Sequence, residues 1–366
     1  MKVLFVCTVP TEKSGIPGVV FNLMNGFRGS GIELGYVAIN EPDESYRRIL
    51  KGLDAGLYVI PRKISNPLRY VKDLAKVARG YDVVHVHGNS ATMVLEMLAA
   101  KLAGVRLRIA HSHNTSCSMK GIDKCMRPLF YTLCNGRMAC GEEAGRWLFR
   151  DKGFKVLNNG IDSEKYRFSQ VNRDRLRRSL DWEDNAVIGH VGNFVEQKNH
   201  RFLIEIFRSL YARNDNVRLL LLGAGPLQPE IEEMVKGYGI EDKVHFAGSV
   251  NNPHEYMSAM DFVVMPSLFE GLPLTLVEEQ ANGLECLVAD TITRDADLTG
   301  NVHYMSLNES ADKWARRIEA GLADKNRDEV SARGIEDIKR SGFDISSAVK
   351  DLADYYASEL QKYEKK

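Results

Sequence analysis

The 366-residue sequence has no Cys-x-x-Cys pair, no internal repeat, no low-complexity tract, no nucleic-acid-binding module and no net charge. Its six cysteines, Cys7, Cys117, Cys125, Cys134, Cys140 and Cys286, stand apart from one another. That spacing argues against a zinc ribbon or a disulfide framework and fits reduced thiols in a cytosolic protein, most of them filling the core. Residues Met1 to Cys7 carry one positive charge and an apolar run too short for a signal peptide or a membrane span, so they read as a first buried strand. What is present is ordinary for a globular chain: 44% hydrophobic and 27% charged residues. The length is more than twice that of a usual single domain, which makes two domains the expectation.

The zero net charge conceals an asymmetry. Residues 1–165 hold 24 Lys and Arg against 15 Asp and Glu, an excess of +9 that the remainder of the chain balances with −9. A basic half suits an anionic surface or acceptor, such as a polyprenyl diphosphate in a membrane leaflet. Two domains whose scattered charges merely differ would give the same count.

Apolar runs predict strands at 3–7, 34–39, 57–60, 83–87, 107–111 and 137–140, alternating with helical stretches such as 19–28, 67–79 and 92–103. The pattern restarts with strands at 187–191, 218–222, 243–246, 262–265 and 287–289. Alternation of this kind implies two parallel sheets, each covered by helices on both faces. The seam falls near 158–169, where Asn158-Asn159-Gly160-Ile161-Asp162 leads into a charged stretch. Residues 344–363 carry apolar side chains at an amphipathic helical spacing.

The richest local signal is Glu270-Gly271-Leu272-Pro273-Leu274-Thr275-Leu276-Val277-Glu278, which follows the apolar strand ending at Met265. Gly271 and Pro273 force a tight loop before a helix starting near Leu274, whose first N–H groups suit a diphosphate. The carboxylates of Glu270 and Glu278 flank that loop and accept hydrogen bonds from hydroxyls, of which sugars and ribose are made. Glu279, by contrast, reads as an ordinary surface glutamate.

Other stretches fall in a matching order: His111-Ser112-His113-Asn114, the seam motif at Asn158, Val191 to Asn199, Leu222-Gly223-Ala224-Gly225-Pro226 and Phe246-Ala247-Gly248-Ser249-Val250. Together with Glu-x7-Glu and Ala281-Asn282-Gly283, they resemble the retaining nucleotide-sugar glycosyltransferases of family 4, in flavour those of bacterial capsule and exopolysaccharide synthesis. The resemblance implies an α/β architecture of the GT-B type: two doubly wound, Rossmann-like domains facing an interdomain cleft. It assigns residues 1–165, with 344–366 packing back on them, to acceptor binding and residues 166–343 to donor binding.

By the same resemblance, Glu270 binds the donor sugar's hydroxyls and Glu278 the ribose. Gly271, Leu272, Pro273, Leu274 and Thr275 hold the diphosphate or sugar, Gly223 lies beside the donor, and Ser249 and Val250 meet the base. Lys198 is the cation expected to stabilise the leaving diphosphate, because without a metal the protein must supply positive charge. Where the family pattern carries arginine this chain has Asn193. Another cation compensates, Asn193 donates a neutral hydrogen bond, or the diphosphate takes a different pose. Gly15, in the loop Ser14 to Gly18, is read equally as a phosphate-approach glycine and as a plain turn. His113 occupies the active-site histidine position near the transferred sugar, with no nucleophilic role.

The loop at Gly223 fails as a dinucleotide fingerprint, since Pro226 interrupts the helix start and Gln228 stands where a glycine belongs. The pairs His85-x-His87 and His111-x-His113 place imidazoles on one strand face, but no carboxylate or cysteine joins them, and Asp295-Ala296-Asp297 reads as surface. No cofactor and no metal are expected. The basic stretch 117–128 reads as a loop that contacts acceptor or membrane. The expected activity is retaining transfer from a UDP-sugar to a glycan or lipid-linked acceptor, at the cytoplasmic face of a bacterial membrane. A sugar-nucleotide epimerase of the same architecture, or a binding protein that has lost catalysis, are the alternatives.

Overall fold

The computed structural model describes residues 1–11, 15–61, 63, 65–322 and 326–364. Ser14, at the head of the expected Gly15 loop, lies outside the described residues. The chain forms two compact units: residues 1–160 with 345–366, and residues 161–344.

Unit 1 is built on seven strands: β1 (Lys2–Cys7), β2 (Glu33–Ala38), β3 (Gly56–Val59), β4 (Val83–Gly88), β5 (Leu107–Ser112), β6 (Gly136–Ala139) and β7 (Lys155–Val156). All run parallel in the order β3-β2-β1-β4-β5-β6-β7. Unit 2 holds β8 (Ala186–Val191), β9 (Val217–Leu222), β10 (Val244–Gly248), β11 (Phe262–Met265), β12 (Glu285–Ala289) and β13 (Val302–Met305). These are again all parallel, in the order β10-β9-β8-β11-β12-β13. Both sheets are doubly wound. Strand order reverses between β1 and β4 and between β8 and β11, and in such sheets ligands bind beyond the carboxyl ends at that reversal.

The central strands are apolar throughout because helices cover both faces. Val3 through Cys7 and Phe262 through Met265 are fully buried. The edge strands β7 and β13 were not expected, being short and only half-buried along most of their length. Cysteine fills the core less than expected: Cys7, Cys134 and Cys286 are buried, Cys117 and Cys140 half-buried and Cys125 exposed.

The boundaries differ from 165/166 and 343/344. Ile161 N–H donates to the carbonyl of Phe343 at 2.8 Å and Ile161 bridges to Asp344, which ties 161–165 and 344 into unit 2. The helix Ile345–Glu364 packs in unit 1 against the helix Ile16–Gly26. Gly26 permits the approach, since a Cβ there would lie 2.5 Å from Val349 Cγ2.

The stretch 117–128 is a loop only over its first three residues. Lys120–Leu133 is a helix that carries Pro128 in its interior. Gly121 and Pro128 are helix breakers in a sequence reading, but burial of Phe130 and Leu133 and the inward ion pair of Asp123 with Arg127 outweigh them.

Candidate functional site

The loops after β8 and β11 meet at the reversal of strand order in unit 2. From β8 the chain passes Gly192 and Asn193, and a short turn Glu196–Lys198 leads into the helix His200–Arg213. Lys198 Nζ donates to Glu270 Oε1 at 2.6 Å, with the two side chains only 14% and 9% exposed. Gln197 Nε2 donates to Glu270 Oε2 at 3.0 Å and to the Phe269 carbonyl at 2.9 Å. Leu268 N–H donates to the Gln197 carbonyl, and Asn199 Nδ2, from a left-handed residue, to the Pro266 carbonyl. A Cβ on Gly192 would stand 3.1 Å from both Cδ and Cε of Lys198, so the glycine gives the lysine stem its path.

The neighbouring loops are knitted by backbone. Gly192 N–H donates to the Leu222 carbonyl and Gly223 N–H to the Gly248 carbonyl, each at 2.9 Å. Gly223 has φ 138°, and a Cβ on it would fall 2.0 Å from the Gly192 oxygen, so no other residue fits. Ser249 and Asn193 are exposed, and Val250 is half-buried against the unit 2 core.

The helix Leu274–Ala281 begins at Pro273 with no side-chain cap, leaving the first-turn amides of Leu274 and Thr275 at its open end. Gly271 is exposed, Leu272 half-buried and Pro273 buried. One turn on stands half-buried Glu278, with the Tyr166 hydroxyl as its polar neighbour. Desolvation by the surrounding protein pushes its carboxyl up to about 7, opposed by Tyr166 and by Lys165.

Glu279 is not a surface residue. It is fully buried, and neither carboxyl oxygen has a hydrogen-bond partner among the described residues. Burial, then the charge of Glu278, hold it well above the usual carboxylate range. Its carboxyl acts on the thiol of Cys286 in β12, and the helix that carries it is itself covered by the helix Arg327–Arg340, with Ser331 Oγ donating to the Ala281 carbonyl at 2.7 Å.

In unit 1, four histidines occupy adjacent strands and their ends. His85 Nδ1 is joined to the Tyr356 hydroxyl at 2.6 Å and His85 Nε2 to His111 Nδ1 at 3.2 Å. His87 Nδ1 is joined to His113 Nε2 at 2.8 Å. Burial pulls all four far below the ordinary imidazole range, His113 to about 3, so the rings are neutral. If Tyr356 donates, His85 carries its proton on Nε2 and His111 on its own Nε2, an atom without a partner among the described residues.

One ring nitrogen from each of His85, His87 and His111 lies within 4.8 Å of the others. The rings nevertheless stack, with 14° between His85 and His111 and 26° between His85 and His87. Near-parallel rings direct their in-plane lone pairs side by side and not at one point, which suits a hydrogen-bonded ladder better than a tetrahedral metal. Gly15 sits ahead of the helix Ile16–Gly26 with φ 71°, a backbone demand that accounts for glycine there. Asp297 accepts from Gly300 N–H within its own turn.

Residues 172–337 match the family model described as glycosyl transferases group 1, and residues 14–165 match that of glycosyltransferase family 4. EpsF of Bacillus subtilis (strain 168) is 33% identical over 370 residues, covering 96% of this chain and 95% of that protein. The chain belongs to glycosyltransferase family 4.

This family 4 glycosyltransferase is also 29% identical to an Escherichia coli enzyme over 227 residues, 57% of this chain and 58% of that protein. That relative is named UDP-Gal:α-D-GlcNAc-diphosphoundecaprenol α-1,3-galactosyltransferase. The solved structure of Anabaena HepE in complex with UDP superposes with a TM-score of 0.78 at 18% identity, covering 98% of this chain and all of that one. The architecture is therefore that of the GT-B glycosyltransferases. Sequence reasoning missed Gln197 and His87, which hold Glu270 and His113, and Tyr166, whose hydroxyl neighbours Glu278. Only His87 carried a signal, the His-x-His alternation, and that had been weighed for metal.

Proposed function

We propose that this glycosyltransferase moves a sugar from a UDP-sugar to a glycan or polyprenyl-diphosphate-linked acceptor, with retention of configuration and without a metal. The observation that carries the reading is the Lys198–Glu270 pair, one cation and one carboxylate set together where the strand order of unit 2 reverses. Support comes from the UDP and UDP-glucose complexes of HepE and from the UDP-Gal donor and undecaprenyl-diphosphate acceptor in the E. coli relative's name. The setting is cell-surface polysaccharide synthesis at the cytoplasmic face of a bacterial membrane, which the basic N-terminal half would contact. Among the described residues no helix is long and apolar enough to cross a membrane.

In this reading the diphosphate charge is met by Lys198 and by the amides of Leu274 and Thr275 at an open helix end. Glu270 then turns to the sugar hydroxyls, while Glu278 accepts from the ribose. The Gly223 loop lies along the donor, and Ser249 and Val250 lie by the base. Asn193, exposed at the lip, offers a neutral donor where the family has arginine. Neutral His113 hydrogen-bonds the sugar's hydroxymethyl without taking the anomeric carbon. The acceptor oxygen attacks the face from which the diphosphate leaves. The bond from the anomeric carbon to the phosphate oxygen breaks, and that oxygen takes the acceptor proton.

Thermal unfolding with a panel of nucleotides and UDP-sugars, with and without EDTA, tests this. A ligand at about 100 times its Kd adds about 2.7 kcal/mol of stability. Stabilisation by UDP and one UDP-sugar, unchanged by EDTA and lost in Glu278→Ala, is the expected result. Stabilisation by no nucleotide, or only with a divalent ion, would overturn it.

A further inference from the structure

The helix Lys120–Leu133 buries one face and leaves another without a partner among the described residues. Phe130 and Leu133 point into the core, and Asp123 is turned inward, where it accepts from Ala91 N–H at 2.7 Å and pairs with Arg127 at 2.8 Å. Arg127 also donates to the carbonyls of Trp147 and Leu148, so neither charge reaches the outer face. That face carries Met119, Ile122, Cys125 and Leu129, at steps of three, three and four residues, which places them in one stripe. Ile122 is 48% and Leu129 53% exposed. Beside the stripe stand Lys120 and Lys124, both exposed, one turn apart.

We infer that this face is the surface by which the enzyme lies on an anionic lipid bilayer. An interfacial helix presents an apolar stripe to the acyl boundary, with lysines flanking it at the level of the headgroups, and this outer face has that arrangement with no exposed acid on it. A second copy of the chain fits worse. Two such faces packed together would bring four ammonium groups against one another, whereas anionic headgroups neutralise them. The inference rests on the proposed membrane contact and gives it an address: one helix on unit 1, not the diffuse positive charge of residues 1–165.

Flotation of the full-length enzyme tests it, with vesicles of phosphatidylcholine alone and of phosphatidylcholine with phosphatidylglycerol. Wild type should float with the anionic vesicles only and be released by salt. Ile122→Asp with Leu129→Asp, and separately Lys120→Glu with Lys124→Glu, should each lower the bound fraction at least tenfold. All four side chains point outward, so melting temperature and stabilisation by UDP should stay at wild-type values, which separates lost binding from lost folding. If wild type floats and both variants float equally well, this surface is wrong and the membrane reading survives. If wild type floats with neither vesicle, both fall. A vesicle-free dimer abolished by the Asp pair would assign the stripe to a second copy and overturn the inference.

Discussion

The ammonium of Lys198 and the carboxylate of Glu270 are bonded at 2.6 Å across the point where the strand order of unit 2 reverses. Each holds the other until a diphosphate competes for the cation and hydroxyls compete for the anion. Lys198→Ala should therefore lower kcat by about 10²–10³ at saturating UDP-sugar, the usual cost of removing one transition-state donor. Glu270→Ala should also lower it. The two losses should fail to add, by about 0.5–3 kcal/mol in a double-mutant cycle. Additive losses would mean that the pair does not work as a unit.

The carboxyl of Glu278, pushed up to about 7, should make nucleotide affinity depend on pH. Ribose hydroxyls donate, so the ionised carboxylate is the better acceptor and affinity should rise as pH climbs through about 7. Isothermal titration with UDP between pH 5.5 and pH 8.5, values set around the ordinary physiological range, should show the rise in wild type and a flat profile in Glu278→Gln. An unchanged slope in the variant would assign the titration elsewhere.

Glu279 should weaken the protein as pH rises. Its native carboxyl is held above the unfolded value, so the native state binds the extra proton, and stability falls with increasing pH from the unfolded value up toward the native one. Glu279→Met removes both the buried acid and its unpaired oxygens. Chemical unfolding of unit 2 should show a gain of about 1–3 kcal/mol at pH 8, smaller at pH 5. A loss at both pH values would reveal a partner for the carboxylate.

Tyr356→Phe should leave His85 Nδ1 buried and unpaired at the foot of the histidine ladder. The expected destabilisation is about 1–3 kcal/mol, read from the unfolding transition of unit 1. Stabilisation by UDP, a unit 2 property in the proposed function, should not change.

How legible these features were depended on how many layers of packing a residue sits in. The central strands declared themselves because a parallel sheet sandwiched by helices demands unbroken apolar runs, as in Val3 to Cys7. Glu270 could be singled out because Gly271 and Pro273 fix the loop beside it, and Lys198 because it stands between a strand end and a helix start in a stretch that resembles the family. Glu279 was misread because its burial is a tertiary fact, on a helix packed among elements distant in sequence, which no local pattern announces. The helix Lys120–Leu133 was hidden by Gly121 and Pro128, whose propensities lose to an ion pair and two buried side chains. Gln197 stood unremarked inside the quoted stretch Val191 to Asn199 and Tyr166 outside every motif, since each matters only for the carboxylate beside it.

The helix Ile345–Glu364 has a consequence for the order in which this protein is made. Residues 161–344 form one uninterrupted run and have every strand of their sheet once residue 344 leaves the ribosome. Unit 1, begun first, still lacks the cover over the helix Ile16–Gly26 and the tyrosine that bonds His85. The usual order, N-terminal domain first, is thus inverted: the later-born unit has its whole sequence outside the ribosome first, and the earlier one is completed only by the twenty residues that emerge after it.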